Sequence, residues 1–246
     1  MKTKTESTII SRVLSPALKL WLRSQVDQVE ELEVKITGGD RQILGGYIPR
    51  VFLATSHAVY QGLHLGEVEL TGENIRINLG QILKGKPLRL LEAVVITGKV
   101  MLKEADLFAS VQSPLLSIAL TDLLLTLLEA KGINNSGDIL QDYQVGWQEV
   151  EIQREKLILR GTLTDEDGQK SPVIIRSGLE LASPQKLRLH PLQIEGLKDF
   201  LRVSLSDFQV DLGSEVALEQ LNLEAGQLYC CGSLTVLPEV EQKVTG

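Results

Sequence analysis

Apolar residues recur at three- and four-residue steps near the start of the chain, as Ile9, Ile10, Val13, Leu14, Ala17, Leu18 and Trp21. This spacing predicts an amphipathic helix over residues of about 7–28, with Arg12, Ser15, Lys19 and Arg23 on its other face. Pro16 marks either a kink or a second start with Ser15 as the N-cap. From Val29 onward the period changes to two, and Leu32, Val34 and Ile36 alternate with charged residues until Gly38-Gly39-Asp40 turns the chain. Gly45-Gly46 turns it again, and an extended run follows from Val51 to Tyr60.

One spacing occurs three times. Val68, Leu70, Ile75 and Ile77 are spaced two, five, two; so are Val150, Ile152, Leu157 and Leu159, and so are Leu221, Leu223, Leu228 and Cys230. Each set reads as two half-buried strands around a short polar connection, which is hairpin grammar. The three sets are either copies of one β unit or separate hairpins that follow the same rules. Residues Leu88 to Lys103 read mostly as strand, rich in β-branched Val94, Val95, Ile96, Thr97 and Val100. Glu104 opens a helix, Ser113-Pro114 restarts it, and Gly132 suits its C-cap. After Gln144 the pattern is nearly all strand, punctuated at Asp165–Gly168, Ser183-Pro184 and His190-Pro191, with a short helix near Gly196–Leu201. Long crossovers are scarce, so the sheets should be antiparallel meanders, and the class α+β. The chain reads as one elongated domain over 1–246, with an internal boundary possible only in the polar 132–143 connection.

The central helix changes the picture most. Leu115 to Leu128 reads LLSIALTDLLLTLL, apolar around nearly its whole circumference. At fourteen residues it is shorter than the ~20 needed to span a bilayer. A helix of this kind must be enclosed or must touch lipid. It either fills a core between sheets or lines an acyl-chain cavity, and on the second reading Leu116, Leu120, Leu123 and Leu127 share the lining stripe. The N-terminal helix likewise has two readings. Arg12, Lys19 and Arg23 are either a solvated face or, with Trp21, a surface that lies on an anionic membrane. Lys84, Lys86 and Arg89 around Gly85-Pro87 form either a headgroup-facing loop or an exposed turn.

Composition narrows the function. Hydrophobic residues make up 43% of the chain and aromatics only 4%, so the interior is aliphatic. Flexible acyl chains suit such walls, whereas bases and sugars need rings to stack on. A net charge of −7 opposes nucleic-acid binding. Cys230 and Cys231 are neighbours and would point to opposite faces of a strand, so no staple joins them. The first residues lack the apolar core of a secretory signal, so the expectation from sequence is a cytoplasmic protein, peripheral on a membrane if it meets one.

No constellation for catalysis stands out. His57 and His64 are seven apart and would face opposite sides of one strand, and His190 precedes a proline at a turn. No Gly-x-Ser-x-Gly, Gly-x-Gly-x-x-Gly or Walker string occurs. The expectation is a non-enzymatic protein without metal or cofactor, holding phospholipid or glycolipid. A fully packed core would suit an interaction scaffold instead.

The chain also resembles a known family. Gly46-Tyr47-Ile48-Pro49-Arg50-Val51, Val59-Tyr60-Gln61-Gly62-Leu63-His64-Leu65 and Ser113-Pro114-Leu115-Leu116 are similar to stretches of the LmeA-like phospholipid-binding family. Phe208-Gln209-Val210-Asp211-Leu212-Gly213 and Cys231-Gly232-Ser233-Leu234-Thr235-Val236 are similar to its closing strands. The resemblance implies an elongated antiparallel sheet wrapped around a long apolar helix, as in tubular lipid-binding proteins, with an apolar groove for phospholipid. It carries no catalytic motif.

Overall fold

The computed structural model describes residues 14–130, 132, 143–196 and 201–238, with backbone alone at 201–203. The patterns before residue 14, the polar connection and most of the short helix expected near Gly196–Leu201 lie outside these residues. Helix α1 (Ser15–Gln25) carries Pro16 in its first turn, where a missing N–H removes no helical hydrogen bond. There follow β1 (Gln28–Glu30), β2 (Glu33–Thr37), α2 (Asp40–Leu44), β3 (Tyr47–Thr55), β4 (His57–Tyr60), β5 (Leu63–Leu65), β6 (Glu67–Arg76), α3 (Leu79–Ile82) and β7 (Val94–Lys103). Helices α4 (Glu104–Ser110) and α5 (Pro114–Ala130) come next. The Ser113 hydroxyl accepts from the Leu116 N–H, which caps α5. The remainder is β8 (Tyr143–Gln153), β9 (Lys156–Asp165), β10 (Lys170–Ser183), β11 (Lys186–Gly196), β12 (Leu201–Leu205), β13 (Phe208–Asp211), β14 (Val216–Glu224) and β15 (Gln227–Val236).

These strands make two six-stranded antiparallel sheets and one small sheet. The first runs β14-β15-β7-β6-β3-β2, and the second runs β12-β11-β10-β9-β8 with β13 also paired to β11. The small sheet is β1-β4-β5. One plan is used twice. A helix leads into a four-strand meander, as α1 into β2-β3-β6-β7 and as α5 into β8-β9-β10-β11. The thrice-repeated spacing does not mark this plan. Its second and third copies are the hairpins β8–β9 and β14–β15. Its first copy is the single strand β6, so no hairpin forms at Thr71–Asn74.

The five-residue gap in β6 has a different cause. Val68 and Gly72 are buried, Glu73 and Asn74 both face out, and Ile75 and Ile77 are buried again. Asn74 takes φ +56°, which slips the alternation by one residue. Its partner strand β3 makes the same slip, with Ile48 and Val51 both facing the core opposite Ile75 and Gly72. The first sheet is therefore kinked at one level across two strands. The expected break at His190-Pro191 is likewise absent, because β11 runs through it. Opposite this pair β10 shifts register between Ser177 and Leu179.

Each sheet has its own core. Leu14, Leu18, Ile43, Ile48, Val51, Ile75, Ile77, Leu79, Leu88 and Val94 form the cluster between α1 and the first sheet. Leu120, Leu124, Leu127 and Leu128 of α5 pack with Trp147, Leu163, Val173, Leu192 and Ile194 of the second. The sheets meet through hairpin tips. The Gly226 N–H donates to the Ile152 carbonyl at 2.8 Å, and the Glu155 N–H donates to the Leu223 carbonyl at 3.2 Å. The Leu218 N–H donates to the Pro184 carbonyl at 2.7 Å.

Candidate functional site

Between α1 and the first sheet lies an apolar hollow of about 120 Å³. Its walls follow from strand alternation, which turns every second residue to one face. β3 contributes Ile48, Val51 and Leu53; β6 and the residue after it contribute Leu70, Gly72, Ile75 and Ile77; and β7 contributes Val94 and Ile96. Leu88 and Leu90 close one side, Val236 another, and Leu18, Trp21 and Leu22 of α1 form the cover. No lining side chain is charged, and the Trp21 indole N–H is the only polar side-chain group among them.

Gly72 is central to the hollow. Val51, Gly72 and Ile96 stand in one row across β3, β6 and β7. A Cβ at position 72 would lie 3.1 Å from Ile75 Cδ1 and 3.7 Å from Val94 Cγ1, so it would occupy the floor. With no side chain at Gly72, that part of the floor stays unfilled. The cover is held by apolar contact. Among the described residues, no side-chain hydrogen bond or ion pair joins α1 to the first sheet; Ser24 bonds back to the Trp21 carbonyl.

The residues singled out in the sequence are split between two places. Leu120 and Leu127 are buried and Leu116 and Leu123 partly buried, all in the cluster against the second sheet. None of the four borders the hollow. Of the two readings of the apolar helix, core filler or cavity lining, these contacts describe a helix that packs one face on Trp147 and aliphatic side chains of the second sheet, while Leu115 and Ile118 stay exposed. Lys19 and Arg23 are exposed on α1, and Arg12 lies outside the described residues. Trp21, grouped with them, turns inward and lines the hollow. Its helical position already set it on the apolar face. Leu70, Ile75 and Ile77 were legible as half-buried strand residues, but nothing in their spacing signals a void. Gly72 falls in the polar connection that the spacing predicts between Leu70 and Ile75, so the sequence pattern does not mark it as part of a wall.

The histidines depart from the sequence expectation as well. His57 on β4 and His64 on β5 come together with ring centroids 5.4 Å apart, because Gln61-Gly62 turns the chain between them. Among the described residues there is no group of three or more His, Cys, Asp and Glu able to hold a metal ion. Cys230 and Cys231 on β15 are both free thiols. Burial first, and then the neighbouring Cys231, pushes the Cys230 thiol up from its ordinary value and so depletes its thiolate. In a Cys231→Ser variant, Cys230 is expected to react with iodoacetamide several-fold more slowly at neutral pH when folded than in urea. Peptide mass spectrometry reads the rate, and equal rates would contradict the burial.

No single helix among the described residues is long and apolar enough to cross a membrane. Comparison with curated proteins and with solved structures gave no match. A family match does cover α1, α5 and both sheets through most of β15, over residues 5–233. By that match, the chain belongs to the LmeA-like phospholipid-binding family.

Proposed function

We propose that this protein binds phospholipid without chemical turnover, and that the hollow under α1 receives an acyl chain. The observation that carries the reading is the wall, which holds no charged group and is built almost wholly from aliphatic side chains on four strands, a connection and a helix. Family membership points to the same ligand class. A dry cavity of about 150 Å³ holds a benzene molecule. At about 120 Å³ the hollow takes a short run of hydrocarbon as it stands. A whole tail requires α1 to lift, and its apolar seating lets it do so without breaking side-chain polar contacts to the first sheet. Each methylene buried contributes about 0.8 kcal/mol, so even part of a tail binds measurably. The headgroup stays outside, which accommodates phospholipid and glycolipid alike, and a lifting cover suits holding or handing over a lipid.

Gly72→Leu tests the reading. The new side chain fills the floor of the hollow, and its closest neighbour is the movable end of Ile75. Native mass spectrometry of gently purified protein is expected to show bound phospholipid in the parent and at least a tenfold smaller load in the variant. An unchanged load in a folded Gly72→Leu protein would remove the hollow from the lipid site. A parent with no extractable lipid would favour the interaction scaffold.

A further inference from the structure

The connection between α3 and β7 is built as a rigid tip. Leu83, Lys84, Gly85, Lys86 and Pro87 are all exposed, Leu83 to 58%. Leu91 is exposed to 57%. Two large apolar side chains thus stand in solvent on the same connection as Lys84 and Lys86. The tip is also pinned from inside by Asn78, which is 7% exposed. The Asn78 side-chain amide donates to the Pro87 carbonyl at 3.0 Å, and its oxygen accepts from the Arg89 N–H at 2.8 Å. The Lys86 N–H donates to the Gln81 carbonyl at 3.0 Å, and Gly85 at φ +76° forms the apex with nothing near it. A buried amide thus holds an exposed, apolar and cationic loop in one shape.

Charge and position give this tip a partner. Lys84 and Lys86 have no acidic partner among the described residues, and Glu92 is the one acid on the connection. The chain as a whole carries −7, so a local excess of cations runs against its composition. The tip continues into the hollow, because Leu88 and Leu90 behind it line the wall. The cover α1 exposes Leu20 to 72%, with Lys19 and Arg23 also exposed, on the side of the helix away from the hollow.

We infer that the Leu83–Leu91 tip docks on an anionic phospholipid bilayer, with Leu83 and Leu91 entering the headgroup layer and Lys84 and Lys86 meeting lipid phosphates. Basic groups next to a bilayer gain from its negative surface potential, and exposed leucines add apolar burial. The inference rests on the reading of the hollow as a lipid site, since docking at this lip presents the hollow to membrane lipid.

The test is co-sedimentation of the full chain with vesicles of phosphatidylcholine alone, or of phosphatidylcholine with an equal share of phosphatidylglycerol. The parent is expected to pellet with the anionic vesicles and to be released by high salt. Lys84→Glu/Lys86→Glu is expected to weaken that binding by at least about tenfold. Leu83→Ser/Leu91→Ser, which alters only exposed side chains, is expected to weaken it on the same vesicles. Both variants should keep the parent's unfolding midpoint and copurified lipid, whereas Gly72→Leu should lose lipid yet still pellet. This contrast separates failure of the docking site from failure of the hollow. Equal binding by the lysine variant, equal binding of the parent to neutral vesicles, or self-association abolished by the same lysine substitutions would overturn the inference.

Discussion

Trp147→Ala is expected to destabilise the protein by about 3–5 kcal/mol, the largest loss for any single truncation in the second core. Trp147 on β8 is 2% exposed and sits under α5. Its indole N–H donates to the Thr121 hydroxyl at 3.1 Å, which ties helix to sheet. Its cross-strand partner is Gly161, where a Cβ would come within 3.0 Å of the ring, so the sequence has cleared space for it. Removing the ring leaves a void that the surrounding strands cannot close, and the lost transfer energy and the void act together. Urea unfolding followed by circular dichroism measures the effect. Trp21→Ala provides the contrast. Trp21 is partly exposed and already borders empty space, so its loss is expected to be far smaller. Similar losses at both positions would mean that the two cores are equally packed.

Gly178→Ala should be nearly as damaging, at about 3 kcal/mol, although it adds a single methyl group. A Cβ at position 178 would lie 2.1 Å from the His190 carbonyl oxygen and 3.1 Å from its carbon. Both are backbone atoms, so no rotamer change relieves the clash, and β10 must separate from β11 just where their register shifts. Gly80→Ala is the control. Nothing lies within 4 Å of a Cβ there, and its stability should be unchanged or slightly higher. Thermal unfolding of the three proteins side by side decides the matter.

Local patterns carried much of the fold. The apolar face of α1, the Ser113-Pro114 start of α5 and the hairpins β8–β9 and β14–β15 were all readable from spacing. So was the antiparallel character, because short connections forbid parallel crossovers. The misreadings have a common source. A five-residue gap between alternating pairs fits a hairpin turn or a slip within one strand, and only the pairing of β6 with both β3 and β7 selects the slip. Histidines seven residues apart face opposite ways on one strand, but a turn at Gln61-Gly62 makes two strands and brings them together.

For this protein, then, the order of residues determined where apolar faces form, which strands pair as hairpins, and that no charged group belongs inside. Those are properties of chain stretches a few residues long, set by helical and strand periods. The location of empty space was decided by tertiary structure alone. A void is what remains when side chains from several distant segments are summed, and here Gly72, Leu88 and Trp21 are joined only through packing. The leucine-rich α5 instead places Leu120, Leu124, Leu127 and Leu128 in the second core, against side chains of the second sheet. The less conspicuous helix α1, meeting a row with glycine at its centre, was left with the hollow.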